Sequence, residues 1–382
     1  MRYSVSSLSI TACGFLLAGM CLILALAGDV RAQQPTDTAA GAPRLDSLAR
    51  DVALLKRIKI SGYLQVHCES HEDSRDATAD ASGKIAKSNA DAIIVKEGRA
   101  KIQYQAAKTS RFTFYIDGSR DKFRLIEAYI DLTHEFGGRK VELSVGQENI
   151  PFGYEIEYPT AKRNFPERST MERKLFAGER DRMINLTVWP DRHLSLNAAI
   201  LNGPGIVDND FTWESPFKGA KNFVGRVKAN AATGYLRVSG GVSAYVGTQF
   251  DKNDARDFQS SKDRWGVDAQ CFYPLFPRLG ETVLRIEAVV ARERGRAARG
   301  GYAWLAQDLA KRFGAAVRFD SYDPDVDLKD GSKLDQVSLA GHYFYDEHVR
   351  ITLDYDWRHN EAVTGKEDPK DNILTLQFQY AF

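Results

Sequence analysis

Basic side chains are concentrated between residues 162 and 182. This stretch has seven cations and four anions, an excess of three positive charges, whereas the whole 382-residue chain has a formal net charge of +1. The cations are Lys162, Arg163, Arg168, Arg173, Lys174, Arg180 and Arg182. Because arginine forks bind phosphate and carboxylate oxygens through paired hydrogen bonds, the stretch could attract small anions. The alternative is that Arg168 and Arg180 pair with Glu167, Glu179 or Asp181 and only hold the segment in place.

Other candidate sites have weaker patterns. His67, Cys68 and His71 could ligate a metal, but they lack a fourth residue of fixed geometry, so we predict no metal site. A hydrolase would need a nucleophile, a base and an orienting group that converge. The chain has no G-x-S-x-G motif, and His134, His193 and His348 fall in expected short turns. We therefore predict neither an enzyme nor a cofactor.

The first 32 residues have the pattern of a signal peptide. Arg2 precedes an apolar run from Phe15 to Leu26, and Val30-Arg31-Ala32 offers a small-x-small cleavage site. The run is too short to span a bilayer permanently, so we predict that residues 1–32 are removed during export. They carry two arginines and one aspartate, so the mature chain is formally neutral. That balance argues against nucleic acid as a partner.

Residues 33–57 form the second expected region. Residues 33–43 are rich in Gln, Pro, Thr and Ala and are predicted to be disordered. The apolar residues that follow have the 3-4-3 spacing of one helix face. They are Leu45, Leu48, Val52 and Leu55. We predict a short amphipathic helix, with a trimeric coiled coil as the alternative.

From Ile58 onward, apolar and polar residues alternate with a period of two. In the last segment the apolar positions are Leu374, Leu376, Phe378, Tyr380 and Phe382. Such alternation predicts strands with one apolar and one polar face. About sixteen segments of this kind occur, among them 98–106 and 262–273, with fourteen or eighteen as alternatives.

The connections between these segments alternate between short and long, and the longest lie at about 68–97 and 148–181. Short turns on one side and long loops on the other are typical of an outer-membrane barrel, whose apolar face contacts lipid. After the signal peptide, no apolar run approaches the roughly 18 residues of a membrane helix. We therefore predict an all-β, transmembrane antiparallel barrel over residues 58–382, in the outer membrane of a Gram-negative-type bacterium.

A barrel of about sixteen strands encloses a water-filled channel, and the alternation places several cations on its wall. Rings of Arg or Lys favour anions, although facing water is a sufficient reason for each residue. The wall cations singled out are Lys101, Arg111, Arg226, Lys228 and Arg350.

Two groups of motifs carry a resemblance to a known family. The terminal strand resembles the last strand of bacterial outer-membrane proteins, which ends on phenylalanine. The stretch from Val145-Gly146-Gln147 to Pro151-Phe152-Gly153 resembles the phosphate-selective porin O/P family. Similar to the same family are Glu167-Arg168-Ser169, Phe176–Asp181 and Ile60–Gln65.

The resemblance implies a homotrimer of sixteen-stranded barrels, each narrowed by its third loop at about residues 148–181. It implies a diffusion porin for small hydrophilic solutes, and the charges add a preference for small anions, phosphate or related oxyanions among them. The alternatives are a non-selective general porin, an outer-membrane hydrolase and a soluble secreted β-rich binding protein. Other expected partners are outer-membrane lipid and the barrel-assembly machinery, which would read Phe378, Tyr380 and Phe382.

Overall fold

A computed structural model describes most of the chain from Val52 onward. The described residues are 52–72, 91–119, 123–176, 178, 180–203, 205–206, 221–253, 256–328, 333–361 and 371–382. The side chains of residues 250–259 are not among the described features. The expected signal peptide, the expected disordered segment and most of the expected lead-in helix lie outside these ranges. Residues 52–55 form one helical turn.

Sixteen antiparallel strands form a closed barrel in which each strand pairs with its neighbours in sequence. They are β1 (Ile58–His71), β2 (Asp91–Ala107), β3 (Ser110–Asp117), β4 (Arg124–Phe136), β5 (Arg139–Asn149), β6 (Arg180–Trp189), β7 (Leu194–Leu201), β8 (Asn222–Thr233), β9 (Leu236–Asn253), β10 (Arg256–Phe276), β11 (Gly280–Glu293), β12 (Arg296–Ala310), β13 (Phe313–Asp323), β14 (Leu334–Phe344), β15 (Val349–Asn360) and β16 (Ile373–Ala381). Between β5 and β6 lie a 3-10 turn (Thr160–Lys162) and helix α1 (Thr170–Leu175). Among the described residues, no helix is both long and apolar enough to cross a membrane.

The polarity of the barrel is inside-out relative to a soluble protein. Along β16, Leu374, Phe378 and Tyr380 are exposed on the outer face, while Gln377 and Gln379 are buried on the lumen side. Other outward positions, such as Leu353 and Trp265, follow the same rule. The outer surface is therefore apolar, and polar side chains fill the interior, as a barrel in lipid requires.

The barrel closes between its first and last strands. Tyr63 pairs with Ala381, and the register continues to His71 opposite Ile373. Beyond the paired strands, the backbone of Gly62 exchanges two hydrogen bonds with that of Phe382, each 3.0 Å. A Cβ at Gly62 would lie 2.7 Å from the Phe382 ring, so the terminal ring packs in the space that glycine leaves.

The predicted fold class and strand count are confirmed, but several predicted boundaries were too narrow. The segment expected at 98–106 extends over Asp91–Ala107, and the one expected at 262–273 extends over Arg256–Phe276. At the start of β2, Ile93 and Val95 are exposed, but a register shift between Val95 and Glu97 interrupts the alternation with the rest of the strand. The start of β10 is mostly polar in sequence, so backbone pairing continues there without a clear apolar pattern.

Candidate functional site

The third loop, residues 150–179, joins β5 to β6 and folds against the lumen side of the wall. Phe152 at its start is fully buried, and its ring occupies the place where a Cβ at Gly266 of β10 would come within 2.8 Å. The same ring packs on Phe176 at the other end of the loop, with centroids 4.7 Å apart. Because Gly266 has no side chain, the Phe152 ring fits against its backbone, and Phe176 from the other end of the loop packs on that ring.

Gly153 lies directly over a carboxylate of the wall. Its φ is +61°, and a Cβ would lie 1.8 Å from Oε1 of Glu287 in β11. Its backbone N–H donates to Oγ of Ser243 in β9 at 3.1 Å, and those of Tyr154 and Glu155 donate to Glu287, each at 3.1 Å. Only glycine combines this conformation with so close an approach, which gives the Pro-Phe-Gly motif a structural reason.

Glu155 holds the two halves of the loop together. Its carboxylate accepts from Ser169 twice, from the backbone N–H at 3.1 Å and from Oγ at 2.6 Å. Ser169 caps α1, since its Oγ also accepts from the Glu172 N–H at 3.3 Å. Arg168 donates to the Glu155 carbonyl at 3.1 Å. The Glu-Arg-Ser motif therefore fixes the start of a short helix.

Helix α1 packs on β12 and β13. The Thr170 N–H donates to the Asp320 carboxylate of β13. Met171 is fully buried and fills the space above Gly300 of β12, where a Cβ would lie 2.8 Å from its side chain. The Thr170 and Met171 side chains of α1 are thus buried, whereas its basic residues Arg173 and Lys174 are exposed.

The middle of the loop reaches the first and last strands. Gln379 of β16 donates to the Ala161 carbonyl at 2.9 Å, and Lys96 of β2 forms an ion pair with Glu167. Burial alone would raise the pKa of Glu167, but the Lys96 ammonium and the Arg173 guanidinium outweigh burial and hold that pKa below its ordinary value. The loop is thus fixed on both sides of the barrel.

Arginines and aromatic rings pack together beneath the loop. The guanidinium of Arg285 lies 3.8 Å from the ring centroid of Tyr154 and 4.4 Å from that of Trp304. Arg285 also lines a cavity of about 20 Å³, together with Arg163 and Arg318. This volume suits a single water-sized species and is too small for an organic solute.

Three of the seven loop cations named from the sequence are exposed: Lys162, Arg173 and Lys174. Within the described part of the chain, none of the three forms a salt bridge. Arg173 makes one long hydrogen bond, to Oγ1 of Thr170 at 3.4 Å. These three are the exposed charged side chains among the described residues of the loop.

The other four cations donate to protein acceptors. The partners are Thr160 for Arg163, Glu172 for Arg168 at 3.2 Å, Glu127 for Arg180 at 3.2 Å and the Gly205 carbonyl for Arg182 at 3.0 Å. The described partners of Arg168 and Arg180, Glu172 and Glu127, hold the loop in place, and the predicted pairing with Glu179 involves a residue outside the described ranges.

The wall cations are also matched by acceptors. The partners are Glu127 for Lys101 at 2.7 Å, Asp131 for Arg111 at 2.6 Å, Asp268 and Glu157 for Arg226 at 2.7 and 3.2 Å, Glu157 for Lys228 at 3.2 Å, and Gln379 for Arg350 at 3.1 Å. Carboxylates accordingly neutralise much of the wall.

The sequence did not indicate which acidic residues hold the loop, namely Glu155, Glu157 and Glu287. Glu155 and Glu157 lie two residues apart just after the Pro-Phe-Gly motif, and this position is the one sequence signal for their role. The position of Glu287 beneath Gly153 depends on contacts between residues more than 130 apart, which no local pattern encodes.

A closed sixteen-stranded antiparallel barrel with an inward loop is the fold of a porin. The chain is similar to the family described as phosphate-selective porin O and P, whose model matches residues 309–382. The resemblance stated from the sequence is thereby confirmed, although the match covers the C-terminal strands and not the third loop.

Solved porin structures have the same fold. The OprB structure of Pseudomonas putida has a TM-score of 0.59 at 10% identity, covering 88% of this chain and 97% of that one. OmpT of Vibrio cholerae in its trimer form has a TM-score of 0.57 at 11% identity, covering 85% and 99%. An anion-selective porin from Comamonas acidovorans has a TM-score of 0.55 at 12% identity, covering 85% and 99%. No curated protein matches the chain. At these identities the likeness shows the fold alone.

Proposed function

We propose that this protein is an outer-membrane diffusion porin that passes small hydrophilic solutes and prefers anions, with the third loop setting the preference. The apolar outer face supports a place in lipid, and the polar lumen supports passage of hydrated solutes. The match to the porin O and P family over residues 309–382 supports the same function.

The anion preference is inferred from a difference between the acidic and the basic side chains of the loop. The carboxylates of its described residues are engaged: Glu155 with Ser169, Glu157 with Arg226 and Lys228, Glu167 with Lys96, and Glu172 with Arg168. Its exposed cations are Lys162, Arg173 and Lys174. Charges at a constriction act at short range through little water, so three accessible cations should dominate ion passage.

The solutes proposed are phosphate and related oxyanions as well as simple anions. Arg173 offers an exposed guanidinium fork that could replace part of the hydration of an oxyanion, and Lys174, next to it in the sequence, is also exposed. The proposed preference therefore favours anions able to accept paired hydrogen bonds.

A non-selective general porin is the second candidate, because the lumen wall itself is balanced. Lys101, Arg111 and Lys228 each have a carboxylate within 3.2 Å. If the wall governs permeation more than the loop does, cations and anions should pass with similar ease.

Partners are proposed on the same basis. The exposed aliphatic and aromatic belt would contact outer-membrane lipid, and the fold shared with a trimeric structure supports a homotrimer.

Phe378, Tyr380 and Phe382, exposed on the last strand, would be read by the barrel-assembly machinery. Deleting Phe382 should lower the amount of folded barrel in the membrane and leave the conductance of each surviving channel unchanged. A normal yield of altered channels would contradict that role.

Reconstitution in planar bilayers tests the proposed function. The detergent-extracted protein should migrate differently on gels before and after heating, and it should form channels whose reversal potential in a salt gradient shows anion preference. Phosphate should reduce the chloride current. Recovery as a soluble periplasmic protein would contradict the porin function, and cation preference would contradict the role given to the loop.

A further inference from the structure

A cluster of potential metal ligands lies where the third loop meets the first strand. His67, Glu69 and His71 alternate along β1, so all three project from one face, and His67 is completely buried in the barrel interior. Nδ1 of His67 lies 3.0 Å from Oε1 of Glu69, and Nε2 of His71 lies 3.2 Å from Oε2 of the same carboxylate. Ligand atoms of a tetrahedral zinc site are separated by roughly 3 to 3.5 Å, given bond lengths of about 2.0–2.1 Å.

Both ring nitrogens of His67 face oxygen atoms. Nε2 lies 2.9 Å from Oε1 of Gln377 in β16, while Nδ1 faces Glu69. When Nε2–H donates to the amide oxygen, the lone pair of Nδ1 points at an anionic oxygen. A proton on Nδ1 or a metal ion between the two atoms would satisfy this arrangement. The contact between Nε2 and Gln377 is also the kind of outer contact that orients a ligating histidine.

The third ligand comes from the third loop. A carboxylate oxygen of Glu167 lies within 4.8 Å of the ligand atoms of His67 and Glu69. Lys96 already lies beside this group, in an ion pair with Glu167 and 3.8 Å from Glu69. Because Lys96 and Glu167 are partly exposed, an ion in the lumen could reach the cluster and displace the ammonium.

We propose that His67, Glu69 and Glu167 bind a divalent transition-metal ion such as Zn²⁺, which would join the third loop to β1. Imidazole and carboxylate ligands suit such ions, and water or His71 could complete the coordination. No metal site was predicted here from the sequence, because Glu167 is one hundred residues from His67. Lys96 occupies the position when the metal is absent, so the ammonium and the metal compete for the two carboxylates.

Zn²⁺ binding to the untagged, detergent-solubilised full chain tests the site, by equilibrium dialysis with metal analysis and by titration calorimetry. The wild type should bind one ion per barrel. His67→Gln and Glu167→Gln should each weaken binding by more than about tenfold, and Lys96→Gln should strengthen it. His348→Gln, in an exposed turn, is the matched control and should bind like the wild type. Gel migration before and after heating shows that each variant is folded.

Two results would overturn the site. Equal binding by the wild type, His67→Gln and Glu167→Gln would place the ion elsewhere, and no saturable binding would leave a proton as the species between His67 and Glu69.

These binding measurements do not depend on conduction through the channel. The link between loop and wall rests on the proposed porin function: Zn²⁺ should reduce fluctuations of the open-channel current in the wild type and not in His67→Gln. Unchanged fluctuations despite bound metal would contradict that link alone.

Discussion

The third loop contains segments whose polar groups are buried and hydrogen-bonded, and segments whose charged side chains are exposed. Around Gly153, Glu155 and Ser169, backbone amides and carboxylates are buried and bonded to the wall or to each other. Around Lys162 and Arg173, charged side chains are exposed to the lumen. A loop can therefore be tightly held and still present accessible charge. The buried acidic residues and their partners hold the loop, and the exposed basic residues provide the positive charge in the lumen.

The largest effect is expected from removing the exposed charge. Replacing Lys162, Arg163, Arg173 and Lys174 with glutamine leaves Glu155, Ser169 and Gly153 in place. The loop should stay seated, and the anion preference measured by reversal potential should be lost. In the wild type, the preference should also weaken at high salt, because the Debye length falls from about 10 Å at 0.1 M to about 3 Å at 1 M.

A matched quadruple variant removes the same number of charges elsewhere. Lys108, Arg278, Lys311 and Arg312 are exposed in the short turns or at their edges. Glutamine at these four positions should change the reversal potential little, because the charges lie at the wide rim. Equal shifts in the two quadruple variants would show that total charge, and not the position of the loop charges, determines selectivity.

The next largest effect is expected from unseating the loop. Gly153→Ala places a Cβ against Glu287 in a left-handed conformation, which by itself costs about 1–3 kcal/mol. The loop should leave its seat, so conductance should rise and anion preference should fall in part. Gly234→Ala is the control, because Gly234 has φ +55° and no atom within 4 Å of the added Cβ. If both variants conduct like the wild type, the contact with Glu287 does not hold the loop.

A smaller effect, of opposite sign, is expected from Glu157→Gln. Glu157 neutralises part of the charge on Arg226 and Lys228, at 3.2 Å from each. Without its carboxylate, the positive potential beside the loop should rise, and reversal potentials should move further toward anion preference. Glu155→Gln removes a charge of the same sign from a buried position bonded to Ser169. It should lower the thermal stability of the folded channel more than it changes selectivity, and the reverse ranking would refute the division of roles.

The smallest effect is expected on the wall. Lys101→Gln removes a cation whose partner Glu127 still accepts from Arg180 at 3.2 Å. The reversal potential should shift toward cations by less than in the quadruple loop variant, measured in the same gradient. A shift as large as that of the loop variant would favour the non-selective, wall-governed channel.

The sequence predicted the barrel because its signal is local and repeated. Along a strand, outward residues such as Phe378 alternate with inward residues such as Gln379. The same alternation recurs in about sixteen segments, so the barrel could be predicted from it. The strand end at Asp91 escaped prediction because a register shift interrupts the alternation there, and the end at Arg256 escaped it because its sequence is mostly polar.

The site was harder to predict than the fold. Its composition, with cations concentrated between Lys162 and Arg182, could be read directly, but the partner of each charge could not. Arg180 binds Glu127, and Glu167 binds Lys96, in pairings between residues 53 and 71 positions apart. Such pairings depend on how the loop folds across the lumen, which alternation along individual strands does not specify.

The closure between Gly62 and Phe382 has a consequence for assembly. Every other strand pair in the barrel joins consecutive strands, whereas β1 and β16 bring together residues more than 300 positions apart. For an unrestrained chain, joining ends so distant costs about 5 kcal/mol of entropy. The hairpins must therefore form first and bring the two edges together. A chain that lacks its last residues would keep two open edges with unpaired backbone groups, which lipid does not tolerate.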